Sequence, residues 1–278
     1  MSNQDDATSV YARTLDSIVS SILFLSRLPV HQIVRPTEQI DFHRSSAMFP
    51  LAGLVIAAPV AAFVWSALWM GVEAHIIVVL AIPAQVLMTG ALHEDGLADV
   101  ADGFWGGHTV DRKLEIMRDS AIGTYGVLAL VISICARLVL LSTALATLGP
   151  LFGAMLYVAC ESLSRAAMLW PWSALKPARK ALAPDANGKD PSGLSQRYGG
   201  PDRNSLLACA VLCLPALLCL ILAAGVVGTL VALTFALAAT LSLTRLARYH
   251  IGGHTGDVLG ATQQLALIAL YLGVGLTI

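Results

Sequence analysis

A chain of 278 residues with 56% hydrophobic residues, only 13% charged residues and a mean hydropathy of +0.73 is too apolar for an ordinary water-soluble domain. A formal net charge of −1, with no dense basic patch interleaved with aromatics, excludes nucleic-acid binding. Cys135, Cys160, Cys209, Cys213 and Cys219 lie inside apolar runs without metal-ligand spacing. They argue against a disulfide framework or a zinc site and read as small hydrophobes.

The expected fold is therefore all-α. It is a polytopic integral membrane helical bundle, one membrane-embedded domain over residues 1–278, with no repeat or linker to divide it. Residues 1–12 are polar and acidic and lack a basic n-region, so no cleavable signal is expected. Ile18–Leu28 is below spanning length and predicts a short N-terminal interfacial or re-entrant helix, ended by Pro29. About seven transmembrane helices follow, at Met48–Met70, Ile76–Leu92, Gly123–Ala146, Leu151–Trp170, Leu206–Ala224, Val226–Leu243 and Leu259–Ile278. Each is near the roughly 20 residues that a bilayer requires.

Charge orients these spans. The turns Gly71–His75, Thr147–Pro150 and Gly225–Gly228 contain no Lys or Arg. Basic residues collect in the alternate connections: Arg13, Arg27, Arg35 and Arg44, then Arg112, Lys113 and Arg118, then Lys176 to Arg203, then Arg245 and Arg248. The positive-inside rule places these in the cytoplasm, with the N-terminus inside and the C-terminus outside. An acidic loop at 93–122, a basic loop at 171–204 and a Gly-rich loop at 245–258 then share one face. Trp65, Trp69, Trp170 and Trp172, near span ends, read as interfacial anchors.

Between spans two and three the chain concentrates Glu94, Asp95, Asp99, Asp102, Asp111, Glu115 and Asp119. If 95–102 is helical, Asp95, Asp99 and Asp102 follow i, i+4, i+7 spacing and share a face. Uncompensated carboxylates there repel one another unless a cation binds, and oxygen-only ligands suit Mg²⁺. The plainer alternative, acidic residues solvated at a helix start, is opposed by the cost of charge near lipid. Next, Gly103, Gly106 and Gly107 allow a sharp turn around Phe104 and Trp105, and VDRKLEIMRD reads as an amphipathic helix with Arg112–Glu115 surface pairing.

The stretch from Asp119 to Gly123 opens span three, where Ser120 is placed to cap the helix and leave backbone N–H groups for an anion. Arg137, inside span three with no carboxylate nearby in sequence, reads as holding phosphate or the acidic cluster. Arg165, four residues after Glu161, reads equally as an ion-pair partner or a substrate contact. Lys176, Arg179, Lys180, Lys189, Arg197 and Arg203 read mostly as topology signals, some able to attract an anionic nucleotide. In RYHIGGHTGDVLGA, Gly252, Gly253, Gly256 and Gly260 let backbone approach a ligand, the helix start offers N–H donors, and Asp257 can join a metal shell. His250 and His254 read as solvated; His93, beside the acidic run, is the better candidate base.

Three segments in this order, HEDGLADVADG, IMRDSAIGTYG and GGHTGDVLGA, closely resemble the cobalamin synthase family, the adenosylcobinamide-GDP ribazoletransferases. FLSRLPV and MFPLAGLVIA extend the resemblance over nearly the whole chain. It implies Mg²⁺-dependent displacement at phosphorus that joins adenosylcobinamide-GDP to α-ribazole, or to its 5′-phosphate, with release of GMP. On that resemblance Glu94, Asp95, Asp99, Asp102 and Asp257 are the expected metal ligands, and His93, Asp95 and Asp99 the expected catalytic residues. A carboxylate or His93 would draw off the hydroxyl proton. Asp119, Ser120, Gly123, Arg137, Gly252, Gly253, Thr255 and Gly256 are the expected substrate contacts. The implied setting is the bacterial inner membrane with the active site facing the cytoplasm. Partners are the small-molecule substrates and membrane lipid, with a homo-oligomer left open and no cofactor beyond the metal.

Two other enzyme classes place metal-binding aspartates on membrane helices. Asp99-x2-Asp102-Gly103 matches the start of the CDP-alcohol phosphotransferase motif, but Gly106-Gly107 stand where its Ala-Arg pair should be and no second aspartate pair follows. Nor are there the two separated D-x3-D clusters of a prenyltransferase. An ion-coupled transporter predicts symmetric Gly/Pro breaks in two halves, and the sequence has none.

Overall fold

The computed structural model describes residues 2–32, 42–179 and 199–278; the expected cytoplasmic basic residues Arg35, Lys180, Lys189 and Arg197 lie outside them. The described chain is helical: α1 (Ser2–Leu25), α2 (Phe42–Ser45), α3 (Phe49–Trp69), α4 (Ala74–Thr89), α5 (Leu92–Gly106), α6 (Val110–Ile116), α7 (Thr124–Ala167), α8 (Leu169–Ala174), α9 (Arg203–Leu212), α10 (Leu214–Ile251) and α11 (Gly256–Gly275). Among the described residues there is no strand, only one isolated bridge between Pro177 and His254.

Four helical stretches, His43–Trp69, Thr124–Ala174, Arg203–Ile251 and Gly256–Gly275, are long and apolar enough to cross a membrane. Helices α4 and α5 make a fifth only if the pair, bent by 89°, is taken as one span. The two longest stretches are each interrupted, at Gly149 (φ 72°, ψ −172°) and Gly225 (φ 70°, ψ 175°). Glycine adopts such positive φ values without a Cβ clash. A Cβ on Gly153 would touch Leu145, which in a straight helix would be about 12 Å away. The chain therefore folds back at Gly149–Pro150, within the expected turn.

Packing ranks the helices. In α11 78% of the apolar stretch is buried, against 22% and 28% in the two longest stretches, so α11 is the central helix. Leu267, Leu270 and Tyr271 of α11 meet Val64, Ile77, Leu141, Leu145 and Leu156 of the surrounding helices. Leu87, Ile132, Val227 and Leu230 point outward and are exposed, as expected for side chains that meet lipid.

Helix α1 departs from the expected Ile18–Leu28: it begins at Ser2 and ends at Leu25. Its apolar half is not laid on a surface. Val19, Ile22 and Leu25 are buried in the bundle, and Phe24 stacks on Phe49 at 5.9 Å. Trp172 is also no anchor, being 5% exposed and 6.0 Å from Phe49, whereas Trp65, Trp69 and Trp170 remain exposed.

Two left-handed residues, Gly90 (φ 66°) and Ala91 (φ 59°), make the corner between α4 and α5. The alanine costs about 1 kcal/mol or more there. Helix α5 leaves the axis of α4, carries four carboxylates and is not among the four stretches long and apolar enough to cross a membrane on their own. It crosses α11 at bare backbone. A Cβ on Gly96 would meet Asp257 and Gly260, and one on Gly260 would meet Leu92, His93 and Gly96. Gly260→Val should therefore lower stability by about 1–3 kcal/mol through overpacking. Gly256→Ala, which projects into open space, should stay within about 0.5 kcal/mol. Thermal melts of the detergent-purified variants check both.

Candidate active site

At 3.6 residues per turn, Asp95, Asp99 and Asp102 fall within about 60° of one another, with Glu94 about 100° and His93 about 160° from Asp95. The side chains follow that geometry. Asp95 is exposed and Asp99 half-buried, while His93 is 1% exposed on the opposite side of α5, away from the carboxylate face. Burial, then the charges of Asp257 and Asp95, push the Asp99 carboxyl up to about 7, with the nearby Arg179 opposing. Two segments far apart in sequence thus put Asp95, Asp99 and Asp257 on one electrostatic patch.

The glycine-rich turn is built mainly to dock on its own chain. Gly252 (φ 70°) terminates α10, and the Thr255 hydroxyl accepts from the Val258 N–H to cap α11. The Ala178 N–H donates to His254 O and the His254 N–H to Lys176 O, both at 2.9 Å. Gly253 has no room for a Cβ against Lys176 and Ala178, so its closest approach is to backbone of this chain; Gly252 and Gly256 open to free space. His254 lies buried beneath that bridge, and burial pulls its imidazole down to about 4, leaving it neutral. The bridge also delivers Arg179, whose Nη2 sits 3.2 Å from Asp257 Oδ2.

Several predicted site residues are engaged elsewhere. Glu94 Oε1 accepts from Arg137 Nη1 at 3.1 Å and from Gln264 Nε2 at 3.0 Å inside the bundle. Arg137 is thus brought to the acidic helix through Glu94, the second of its expected roles. Asp102 accepts from the Gly123 N–H at 2.7 Å and the Gly126 N–H at 2.9 Å, so the anion at the start of α7 is the protein's own carboxylate. A Cβ at Gly123 or Gly126 would collide with it. Ser120 does not cap α7, whose N-cap is Gly123; Asp119 and Ser120 are exposed, and Asp119 accepts from the Ala121 N–H at 3.0 Å. Arg165 pairs with Glu161 at 2.6 Å, and exposed Arg112 with Glu115 at 2.7 Å. His250 is not merely solvated, because it stacks on Phe104 at 4.7 Å and accepts from Lys113 Nζ at 2.8 Å.

Sequence reasoning missed Gly96, Gln263 and Gln264. The two glutamines are buried, Gln263 donating to Ser164 Oγ and Gln264 accepting from Ser133 Oγ. Two consecutive amides in an apolar span are themselves a signal, since polar groups at membrane depth require partners.

Among the described residues no three carboxylate, imidazole or thiol groups converge as a ready metal-ligand set. The Asp95, Asp99 and Asp257 patch is nevertheless all-oxygen and electrostatically strained. That suits Mg²⁺, which takes one or two carboxylates and completes its shell with water and substrate phosphate. Helical bundle and patch together define a multi-helix membrane protein with a polar site at one end of its central helix. Residues 17–275 match the family model described as cobalamin-5-phosphate synthase. Relatives named adenosylcobinamide-GDP ribazoletransferase include one from Sinorhizobium medicae, 39% identical over 95% of this chain and 97% of its own length. One from Azorhizobium caulinodans is 40% identical over 95% and 97%, and one from Brucella anthropi 37% identical over 92% and 95%. No solved structure matches the chain. The chain belongs to the cobalamin-5-phosphate synthase family.

Two measurements probe this geometry. Because folded Asp99 holds its proton up to about 7 instead of 3.8, the folded state binds the extra proton between those values and loses stability as pH rises through that window. Metal-free wild type should show this loss in melting temperature, and Asp99→Asn should lack it. Asp102→Ala should cost about 1.5–3 kcal/mol, the worth of hydrogen bonds to a charged group, and should speed amide exchange at Gly123 and Gly126.

Proposed function

We propose that this protein is an adenosylcobinamide-GDP ribazoletransferase that joins adenosylcobinamide-GDP to α-ribazole, or to its 5′-phosphate, and releases GMP. The observation that carries the reading is family membership over residues 17–275. It is supported by the meeting of the acidic and glycine-rich motifs, brought together where Gly96 crosses Gly260. A ribose hydroxyl oxygen forms the new bond to the phosphorus borne by cobinamide, and the bond from that phosphorus to the bridging oxygen breaks. The electron pair leaves with guanylate, and a carboxylate of the α5 patch takes the hydroxyl proton. Such a transfer requires alignment and charge neutralisation more than covalent help.

Mg²⁺, when bound, would offset charge on the diphosphate, with Asp95, Asp99 and Asp257 holding it. The reading assigns Glu94 and Asp102, through their contacts with Arg137, Gln264 and the start of α7, to fixing α5 in place. His93, buried on the far side of α5, is assigned no proton transfer. Exposed Gly256, at the start of α11, remains the best placed of the glycines to meet phosphate.

The fold-backs at Gly149 and Gly225, which divide the two longest stretches, support the expected seven spans, with α3, α4 and α11 as the other three. The basic connections support a reading in which the site faces the cytoplasm from the inner membrane.

With both substrates and Mg²⁺, detergent-purified protein should form product and EDTA should abolish it. Metal-independent turnover would reject the acidic-patch mechanism; no turnover under any condition would reject the transferase reading. Asp95→Asn and Asp99→Asn should each reduce turnover by about 100-fold or more, the scale of losing one preorganised electrostatic group, with membrane insertion unchanged.

A further inference from the structure

The proposed transfer requires something to hold a diphosphate, yet the acidic helix and the glycine-rich turn contribute carboxylates and glycines to the patch and no cation. The fold supplies a half-buried one, Arg179, from outside all three family segments. Arg179 follows α8 by only a few residues, and three features fix it at the patch. Residues 176–178 are bound to His254 by two backbone hydrogen bonds. Gly253 permits that approach because any Cβ would strike Lys176 and Ala178. Finally, Arg179 Nη2 lies 3.2 Å from Asp257 Oδ2, with the two side chains only 20% and 22% exposed.

We propose that Arg179 is a substrate-binding residue that exchanges Asp257 for phosphate oxygens of the diphosphate when the nucleotide-activated substrate arrives. The guanidinium fork matches carboxylate and phosphate alike, so one charge-assisted contact replaces another at little net cost. The exchange also releases Asp257 to share a cation with Asp95 and Asp99, so that guanidinium and divalent ion divide the diphosphate charge between them. Arg118 stands close enough to act electrostatically on both Arg179 and Asp257. Being exposed, it is the weaker of the two cations. Gly253 is then a positioning residue, acting through Arg179.

This inference rests on the transferase reading, and the test separates the two. Steady-state kinetics of the full-length, detergent-purified protein would compare wild type with Arg179→Ala, Arg179→Lys and Gly253→Ala, alongside calorimetric titration with GDP and Mg²⁺. Arg179→Ala should raise KM for adenosylcobinamide-GDP about tenfold or more, the equivalent of one charged hydrogen bond, and weaken GDP binding in parallel. KM for α-ribazole should move less than about threefold, a change worth well under one such bond. Arg179→Lys should recover part of the loss, and Gly253→Ala should reproduce it without adding to Arg179→Ala. Unchanged KM and GDP affinity in Arg179→Ala, or lowered melting temperature without either change, would reduce Arg179 to a tether for the turn and overturn the inference. Wild type without turnover, but with Arg179-dependent GDP binding, would remove the transferase reading and leave the diphosphate contact standing.

Discussion

The contact on which the site depends has no side chain. Where α5 crosses α11, Gly96 and Gly260 let the two backbones meet; a Cβ on Gly96 would collide with Asp257, and one on Gly260 would press on Leu92 at 3.2 Å. Close approach at this point sets Asp95 and Asp99 beside Asp257, from segments about 160 residues apart. Dispersion and packing then act over the surrounding helices, but the spacing of the carboxylates is decided at this crossing.

A second constraint opposes the first. Crowding carboxylates tends to drive α5 away from the bundle, and the molecule answers with contacts that leave the reactive face alone. Glu94 reaches inward to Arg137 and Gln264, and Asp102 holds the amides that open α7. A buried ion pair gains little over an apolar substitute, but removing one partner strands the other charge at a cost of several kcal/mol. Such pairs fix orientation more than they add stability. Two of the acidic residues hold the helix, and the remaining two face Asp257.

How far this was legible in the sequence depended on the reach of each interaction. Apolar runs gave the helices, and Gly149 and Gly225 fell inside predicted turns, because these are local properties of the chain. The shared face of residues 95, 99 and 102 followed from helical spacing alone, and the same spacing already put His93 on the far side. Destinations were another matter. Nothing near Glu94 announces Arg137 or Gln264, 43 and 170 positions away, and nothing near Asp102 announces Gly123. Gly253 looked like a ligand-facing glycine because the chain that fills its space, residues 176–178, is remote in sequence. The early start of α1 was hidden because Ser2–Asp16 carries no apolar stripe, and the burial that holds its other half comes from Phe49 and Trp172.

The corner at Gly90 and Ala91 sets the direction of the acidic helix. A 15-residue helix is about 22 Å long, and had α5 continued straight from α4 its acidic groups would have been carried away from the start of α11. Turned by 89°, α5 instead runs across the direction of α4, so Asp95 and Asp99 face Asp257 while Glu94 and Asp102 stay engaged within the bundle.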